Sequence, residues 1–297
     1  MYELPLLSIK KVTKKFGNYA ALSDINFDVY SNETLALIGE SGAGKSTLLR
    51  IIMGFISPSL GEIYINGQSA FSNQEIIHKT ISYLPSEFTL FDFPKGSDFI
   101  NLCAKLNNSS NKNALSLIKD FDLDVNANPK RMSKGMKQKT AIISTFMNDK
   151  DVYLLDEPST GLDPLMREKL YNQILKLKDN SKTIIFTTNS YDEAMRLADK
   201  VLIISNGKIL KTINLNDIKK LKIHTFKIKV DEKNKKTLKK YIYDEDGEFI
   251  YTFIEALHLK TFFKLLSNLE VLSFEILQFN LENYVLYLLK GDKNEKK

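Results

Sequence analysis

The sequence contains no tryptophan, three histidines and a single cysteine in 297 residues. One thiol, Cys103, cannot close an internal disulfide, so packing has to hold the fold, as in a reducing compartment. Cys103 lies among apolar residues of a helix-like segment and reads as a small buried hydrophobe. His78, His224 and His258 stand apart from one another and from Cys103, which excludes a metal motif built on local spacing. Long apolar runs are missing too. The longest patches, such as Val201-Leu202-Ile203-Ile204, have the length of a buried strand, far short of the roughly 18–20 residues of a spanning helix. Met1-Tyr2-Glu3-Leu4-Pro5 has neither the basic flank nor the apolar stretch of a secretory signal. No basic run is interleaved with aromatics, so no nucleic-acid partner is expected.

What is present is a globular mixture of 43% hydrophobic and 26% charged residues, enough apolar side chain for one large domain and a small one. The net charge of +6 favours an anionic partner only mildly. Polar stretches such as Lys233 to Lys240 read as solvated faces. Leu7, Ile9 and Val12, then Ile25, Phe27 and Val29, alternate with polar residues and predict an N-terminal antiparallel β layer. Thr34 to Ile38 is a short apolar strand entering a glycine-rich turn, and Ser46 to Met53 has helical spacing up to Gly54. Ile63-Tyr64-Ile65 before Asn66-Gly67 predicts a hairpin. Helix-like segments follow at Asp98 to Leu106 and Asn113 to Phe121. Strands return at Val152 to Leu155, Thr183 to Phe186 and Val201 to Ile204, with helical segments between them. Strand–helix alternation of this kind gives an α/β class with a parallel sheet covered on both faces.

Beyond Asn214 the spacing changes to strands at Phe226 to Val230, Phe249 to Phe253 and Val271 to Leu277. Helices are expected at Lys233 to Tyr241, His258 to Leu266 and Leu281 to Leu289. The expected domains are 1–218, with an inserted helical subdomain at about 87–136, and a small α+β accessory domain at 222–297. The Lys-rich tail after Gly291 reads as disordered.

Gly39-Glu40-Ser41-Gly42-Ala43-Gly44-Lys45-Ser46 matches the P-loop pattern G-x-x-x-x-G-K-[ST] in full, between a strand and a helix. The glycines let successive backbone N–H groups turn inward on phosphate oxygens, and the helix start at Ser46 and Thr47 adds its positive end. Lys45 would reach the β- and γ-phosphates of ATP, and the Ser46 hydroxyl would ligate Mg²⁺. Val152-Tyr153-Leu154-Leu155-Asp156 is the companion apolar strand ending in an acid that would hold Mg²⁺ through water. Glu157 follows directly and is the candidate general base for the attacking water.

Further motifs narrow this P-loop NTPase core. Met132-Ser133-Lys134-Gly135-Met136-Lys137-Gln138 resembles the signature of ATP-binding-cassette (ABC) proteins, and Ser159-Thr160-Gly161-Leu162-Asp163 resembles their D-loop. Phe16 stands where that family has the aromatic that stacks on adenine; the other reading is a strand-end core residue. The resemblance spans Leu7 to Ile213. It implies a head-to-tail pair of cassettes in which Ser133 and Gly135 of one meet the γ-phosphate held by the other. Ile276 to Val285 resembles the closing segment of drug, antibiotic or bacteriocin exporters, or is a plain amphipathic helix.

Two positions depart from the family. Ser86 stands where a glutamine usually ligates Mg²⁺, and Asn189 where a histidine usually contacts the γ-phosphate. Asparagine still donates a hydrogen bond but reaches less far. The resemblance implies an ATP-hydrolysing transport subunit, an exporter on the closing segment, slowed by Ser86 and Asn189. It would lie in the cytoplasm against the inner membrane face. Its partners would be a separately encoded transmembrane permease and a second cassette, identical or different. The alternative is a partly degenerate, regulatory ATP-binding half of a heterodimeric pair.

Overall fold

The computed structural model describes residues 4–88, 93–107 and 111–294, side chains at 111, 112, 219, 232, 240, 243 and 289–294 excepted. The chain divides into two compact units, Met1–Thr212 and Ile213–Lys297.

In the first unit, β1 (Leu7–Phe16) and β2 (Tyr19–Val29) form an antiparallel hairpin in which Leu7 faces Val29 and Phe16 faces Tyr19. After β3 (Thr34–Ile38) and α1 (Lys45–Ile52), β4 (Leu60–Ile65) and β5 (Gln68–Ser69) join that layer in the order β2-β1-β4-β5. Asn66 and Gly67 both take positive φ between β4 and β5, as their two-residue turn requires. Next come α2 (Gln74–Thr80), β6 (Ile81–Leu84), α3 (Gly96–Leu106), α4 (Asn111–Phe121) and α5 (Lys134–Phe146). β7 (Val152–Asp156), α6 (Pro164–Asp179), β8 (Thr183–Thr188), α7 (Tyr191–Leu197), β9 (Lys200–Ser205) and β10 (Lys208–Asn214) complete the unit.

The main sheet runs β10-β9-β3-β8-β7-β6, with β9, β3, β8, β7 and β6 successively parallel. Every residue of β3, β7 and β8 is buried, as expected of parallel strands covered on both faces. Leu35, Leu37, Val152, Leu154, Ile185 and Leu202 share one apolar cluster with Leu48, Leu49, Ile51 and Ile52 of α1 and with Leu7, Ile9, Ile25 and Ile63 of the antiparallel layer. Each such side chain contributes about 1.5–3 kcal/mol by leaving water. On the other side, α5 packs on β6, and α6 and α7 on β8. The α/β class with its antiparallel layer is therefore observed. The register also places Ile38 beside Thr188 and Asp156 beside Thr187, which gathers three strand ends at one edge of the sheet.

The second unit holds α8 (Leu215–Leu221), β11 (Ile223–Val230), α9 (Glu232–Leu238), β12 (Ile242–Asp246), β13 (Phe249–Glu255), α10 (Leu259–Leu266), β14 (Val271–Leu277) and α11 (Leu281–Asn294). Its antiparallel sheet, β12-β13-β11-β14, has its own core of Phe226, Ile228, Val230, Leu238, Ile250, Ile254, Phe262 and Leu266.

Two expectations are corrected. α11 runs to Asn294, so the stretch after Gly291 begins as helix; residues 295–297 lie outside the described residues. Cys103 is half-buried rather than buried, and its surroundings still push the thiol up to about 11. The reading of Met1 to Glu3, and of 89–92 and 108–110 within the helical subdomain, lies outside the described residues. Among the described residues no helix is long and apolar enough to cross a membrane.

Candidate functional site

The loop from Gly39 to Gly44 leaves the buried end of β3 and enters α1. Gly44 is the residue before the helix and has φ 107°, a region closed to most L side chains. A Cβ there would lie 2.7 Å from the Ala21 carbonyl oxygen and 2.7 Å from Leu22 Cδ2. Glycine is thus required twice, by conformation and by space. Lys45 folds back under the loop and is 5% exposed. Its Nζ donates to the carbonyls of Gly39 (2.6 Å) and Glu40 (3.1 Å) and stands 3.9 Å from Glu157 Oε1. Burial pulls the ammonium below its ordinary value, and the charges of Glu157 and Asp156 pull it back up.

Asp156 ends β7 fully buried. Its Oδ1 accepts from Ser46 Oγ (3.0 Å) and from Thr187 Oγ1 (2.6 Å), while Oδ2 is buried with no hydrogen-bond partner among the described residues. A buried carboxylate oxygen with open lone pairs beside a serine hydroxyl is the hard oxygen donor set that Mg²⁺ takes, so Ser46 and Asp156 fit that ion. Glu157 takes φ 46°, strain of about 1–3 kcal/mol that clusters at functional sites. Its backbone N–H donates to Thr187 Oγ1 (2.8 Å), and its Oε2 accepts from Thr160 Oγ1 (3.4 Å). Thr187 therefore orients both acids. Sequence reading passed over it because its partners come from another strand.

Above the loop lies a cavity of about 350 Å³ lined by Phe16, Tyr19, Ala21, Ser41, Gly42, Gly44, Lys45, Ser46, Thr47 and Glu157. Phe16 is 51% exposed, which removes the core reading of that residue. Lys14 Nζ sits 4.9 Å from its ring centroid. Tyr19, cross-strand neighbour of Phe16, adds a second exposed aromatic that the sequence reading missed. Position within a hairpin, visible as Gly17-Asn18 between two strands, was the available signal.

The cavity brings together half of the expected residues; Gly39, Glu40 and Ala43 belong to the loop, and Asp156 is buried behind Ser46, whose hydroxyl donates to it. Ser133, Gly135, Ser86 and Asn189 do not line it. Ser133 caps α5, its Oγ accepting from the Met136 N–H (3.2 Å). Ser86 is half-buried and Asn189 exposed just beyond the end of β8. Among the described residues no cluster of three or more His, Cys, Asp or Glu could hold a metal.

Comparison with known proteins gives one consistent likeness. Residues 22–160 match the ABC transporter family model. An uncharacterized ABC transporter ATP-binding protein of Methanocaldococcus jannaschii is 32% identical over 72% of this chain and 79% of its own length. A Fe(3+) ions import ATP-binding protein of Haemophilus influenzae is 34% identical over 71% of this chain; the match spans only 62% of that relative. A solved ATP-binding subunit of an ABC transporter superposes with a TM-score of 0.67 at 31% identity, over 72% of this chain and 92% of that one. A dimeric ATP-binding cassette in a post-hydrolysis state, bound to ADP and Pi, superposes with a TM-score of 0.64 at 25% identity, over 70% and 98%.

Proposed function

Because the chain belongs to the family of ABC transporter ATP-binding proteins, we propose that it binds and hydrolyses ATP as the nucleotide-binding subunit of a transport machine. The observation that carries this reading is the convergence of Lys45, Ser46, Asp156 and Glu157 beneath one glycine-rich loop, with Thr187 bridging the two acids.

The backbone N–H groups of Ser41 to Thr47 cradle the phosphates, and Phe16 and Tyr19 wall the end where the base lies. Lys45 exchanges its carbonyl partners for phosphate oxygens, a stronger charge-assisted contact. Mg²⁺, when bound by Ser46 and Asp156, offsets charge on the β- and γ-phosphates. Glu157 accepts a proton from the water that attacks the γ-phosphorus as the bond to the bridging oxygen breaks, leaving ADP and phosphate. Asn189, two residues beyond Thr187 in the turn after β8, donates to the γ-phosphate. Ser86 is too short to ligate Mg²⁺ except through a water.

A single chain carries one P-loop and one signature, so we assign it a second cassette, with Ser133 and Gly135 at the partner's nucleotide, and a separate membrane permease on the inner face of the membrane. The iron relative carries import in its name. Export rests on the segment Ile276 to Val285 alone, so the proposal is for transport without an assigned direction. Uptake or efflux by inverted vesicles holding the copurifying permease decides it. The exposure of Asn189 outside the cavity favours, as a second reading, the slower regulatory half of a mixed pair.

Purified chain is expected to turn over Mg-ATP. Glu157→Gln should keep nucleotide but lose kcat by about a hundredfold or more, and Lys45→Ala should lose nucleotide retention. Full turnover by Glu157→Gln would overturn the base assignment, and undiminished nucleotide binding by Lys45→Ala the whole reading.

A further inference from the structure

One buried carboxylate has no part in the chemistry above. Glu193, in the first turn of α7, is 3% exposed. Its Oε2 accepts from Thr188 Oγ1 at 2.5 Å. The same Thr188 oxygen accepts from the Ser190 N–H (3.0 Å), and Ser190 Oγ accepts from the Glu193 N–H (3.3 Å). These three bonds close a ring around the turn between β8 and α7. Asn189 is the residue at the tip of that turn, and its own side chain is exposed. The other Glu193 oxygen, Oε1, is buried without a partner in good hydrogen-bond geometry among the described residues. Its neighbours are the hydroxyls of Ser159, in the loop after Glu157, and Tyr171 of α6, with the Arg167 charge farther off.

A buried acid is costly, and burial holds the Glu193 carboxyl above its ordinary value. A purely structural turn needs no such group, since Ser190 alone caps α7. The cost is explained if the turn must hold one shape. β8 also ends in two adjacent threonines with divided work: Thr187 orients Asp156 and Glu157, and Thr188 is locked to Glu193. The two halves of the site are thereby fixed to the same strand end.

We propose that Glu193 is a positioning residue for ATP hydrolysis, holding the β8–α7 turn through Thr188 so that Asn189 meets the γ-phosphate in a fixed pose. This rests on the reading of Asn189 as a phosphate contact. A short amide reaches its target only when its backbone is held, so the asparagine makes the ring matter more than a longer side chain would.

The test is a double-mutant cycle on the full chain, with kcat, KM and Tm measured for each variant. Asn189→Ala and Glu193→Ala are each expected to lower kcat about tenfold with KM within about twofold, and the double variant to be no slower than Asn189→Ala. Thr188→Val should reproduce Glu193→Ala, and Glu193→Gln, which keeps an acceptor for Thr188, should recover most of the rate. The readout survives a fall in Tm, because a merely structural loss would add to Asn189→Ala rather than vanish in it. Additive losses, or an unimpaired Thr188→Val, overturn the positioning role and leave the Asn189 contact standing. If Asn189→Ala is as fast as the parent, the phosphate contact fails and the positioning role with it.

Discussion

Thr187 shows how far the site depends on a side chain without charge. Its hydroxyl donates to Asp156 and accepts from the Glu157 amide, so one group sets the direction of both acids. Thr187→Val keeps the shape and removes both bonds, leaving Asp156 with a second short-changed oxygen. Such a change costs about 1–3 kcal/mol of folding free energy, and it should weaken the dependence of nucleotide binding on Mg²⁺. Urea melts and a Mg²⁺ titration check this; parental values in both would mean that water replaces the hydroxyl. Glu193 brings a pH dependence of definite sign. Burial raises its folded-state value above the ordinary 4.5, so the folded chain holds the proton more tightly than the unfolded one. The stability this gives is complete below 4.5 and is lost as the pH rises through the folded-state value. Glu193→Gln, always neutral, should therefore gain in Tm on the parent as the pH is raised from about 4 to 8. A gap that stays flat across that range would show that Glu193 is not penalised by burial.

At the scale of elements, the turn between β9 and β10 braces the phosphate loop from a place remote in sequence. Gly207, at φ 71°, donates its N–H to the Ala43 carbonyl (3.1 Å) and accepts from the Ser23 N–H (2.8 Å). A Cβ on Gly207 would lie 2.5 Å from the Ala21 carbonyl oxygen. Gly207→Ala should thus push the turn off the loop and weaken nucleotide affinity about tenfold or more, with Lys45 and Ser46 untouched. Equilibrium binding of a fluorescent nucleotide reads the effect, and parental affinity would show the brace to be dispensable. Nothing in the sequence pointed to Gly207 beyond an Asn-Gly pair. The contiguous parts were legible: the loop, α1 and the buried strands β3, β7 and β8 announce themselves through glycine spacing and apolar runs. β6 was missed because four residues are too few to show a period, α2 because it buries only Ile77 and Thr80, and β12 because its Asp244-Glu245-Asp246 end looks like a loop. Thr187, Tyr19 and Gly207 were missed for one reason: each acts through register or a close approach between segments, which no local pattern encodes.

For the molecule as a whole, the decisive feature is that Ser133 and Gly135 do not line the cavity that holds Lys45. α5 begins at Lys134 with Ser133 as its cap, and such a helix start is a ready anion site, which in the proposed pairing would meet a phosphate held by another chain. Hydrolysis should accordingly follow the population of pairs. At protein concentrations below the dissociation constant of the pair, doubling the concentration should raise the total rate about fourfold, and specific activity should level off once pairing saturates. Glu157→Gln with Mg-ATP, unable to finish the reaction, should sediment as a dimer where the parent with ADP sediments as a monomer. Ser133→Ala removes the cap, at about 1 kcal/mol of stability, and should shift the dimerisation midpoint of the Glu157→Gln chain to higher concentration. Specific activity that stays constant with dilution, in a species that sediments as a monomer, would mean that one chain completes its own site.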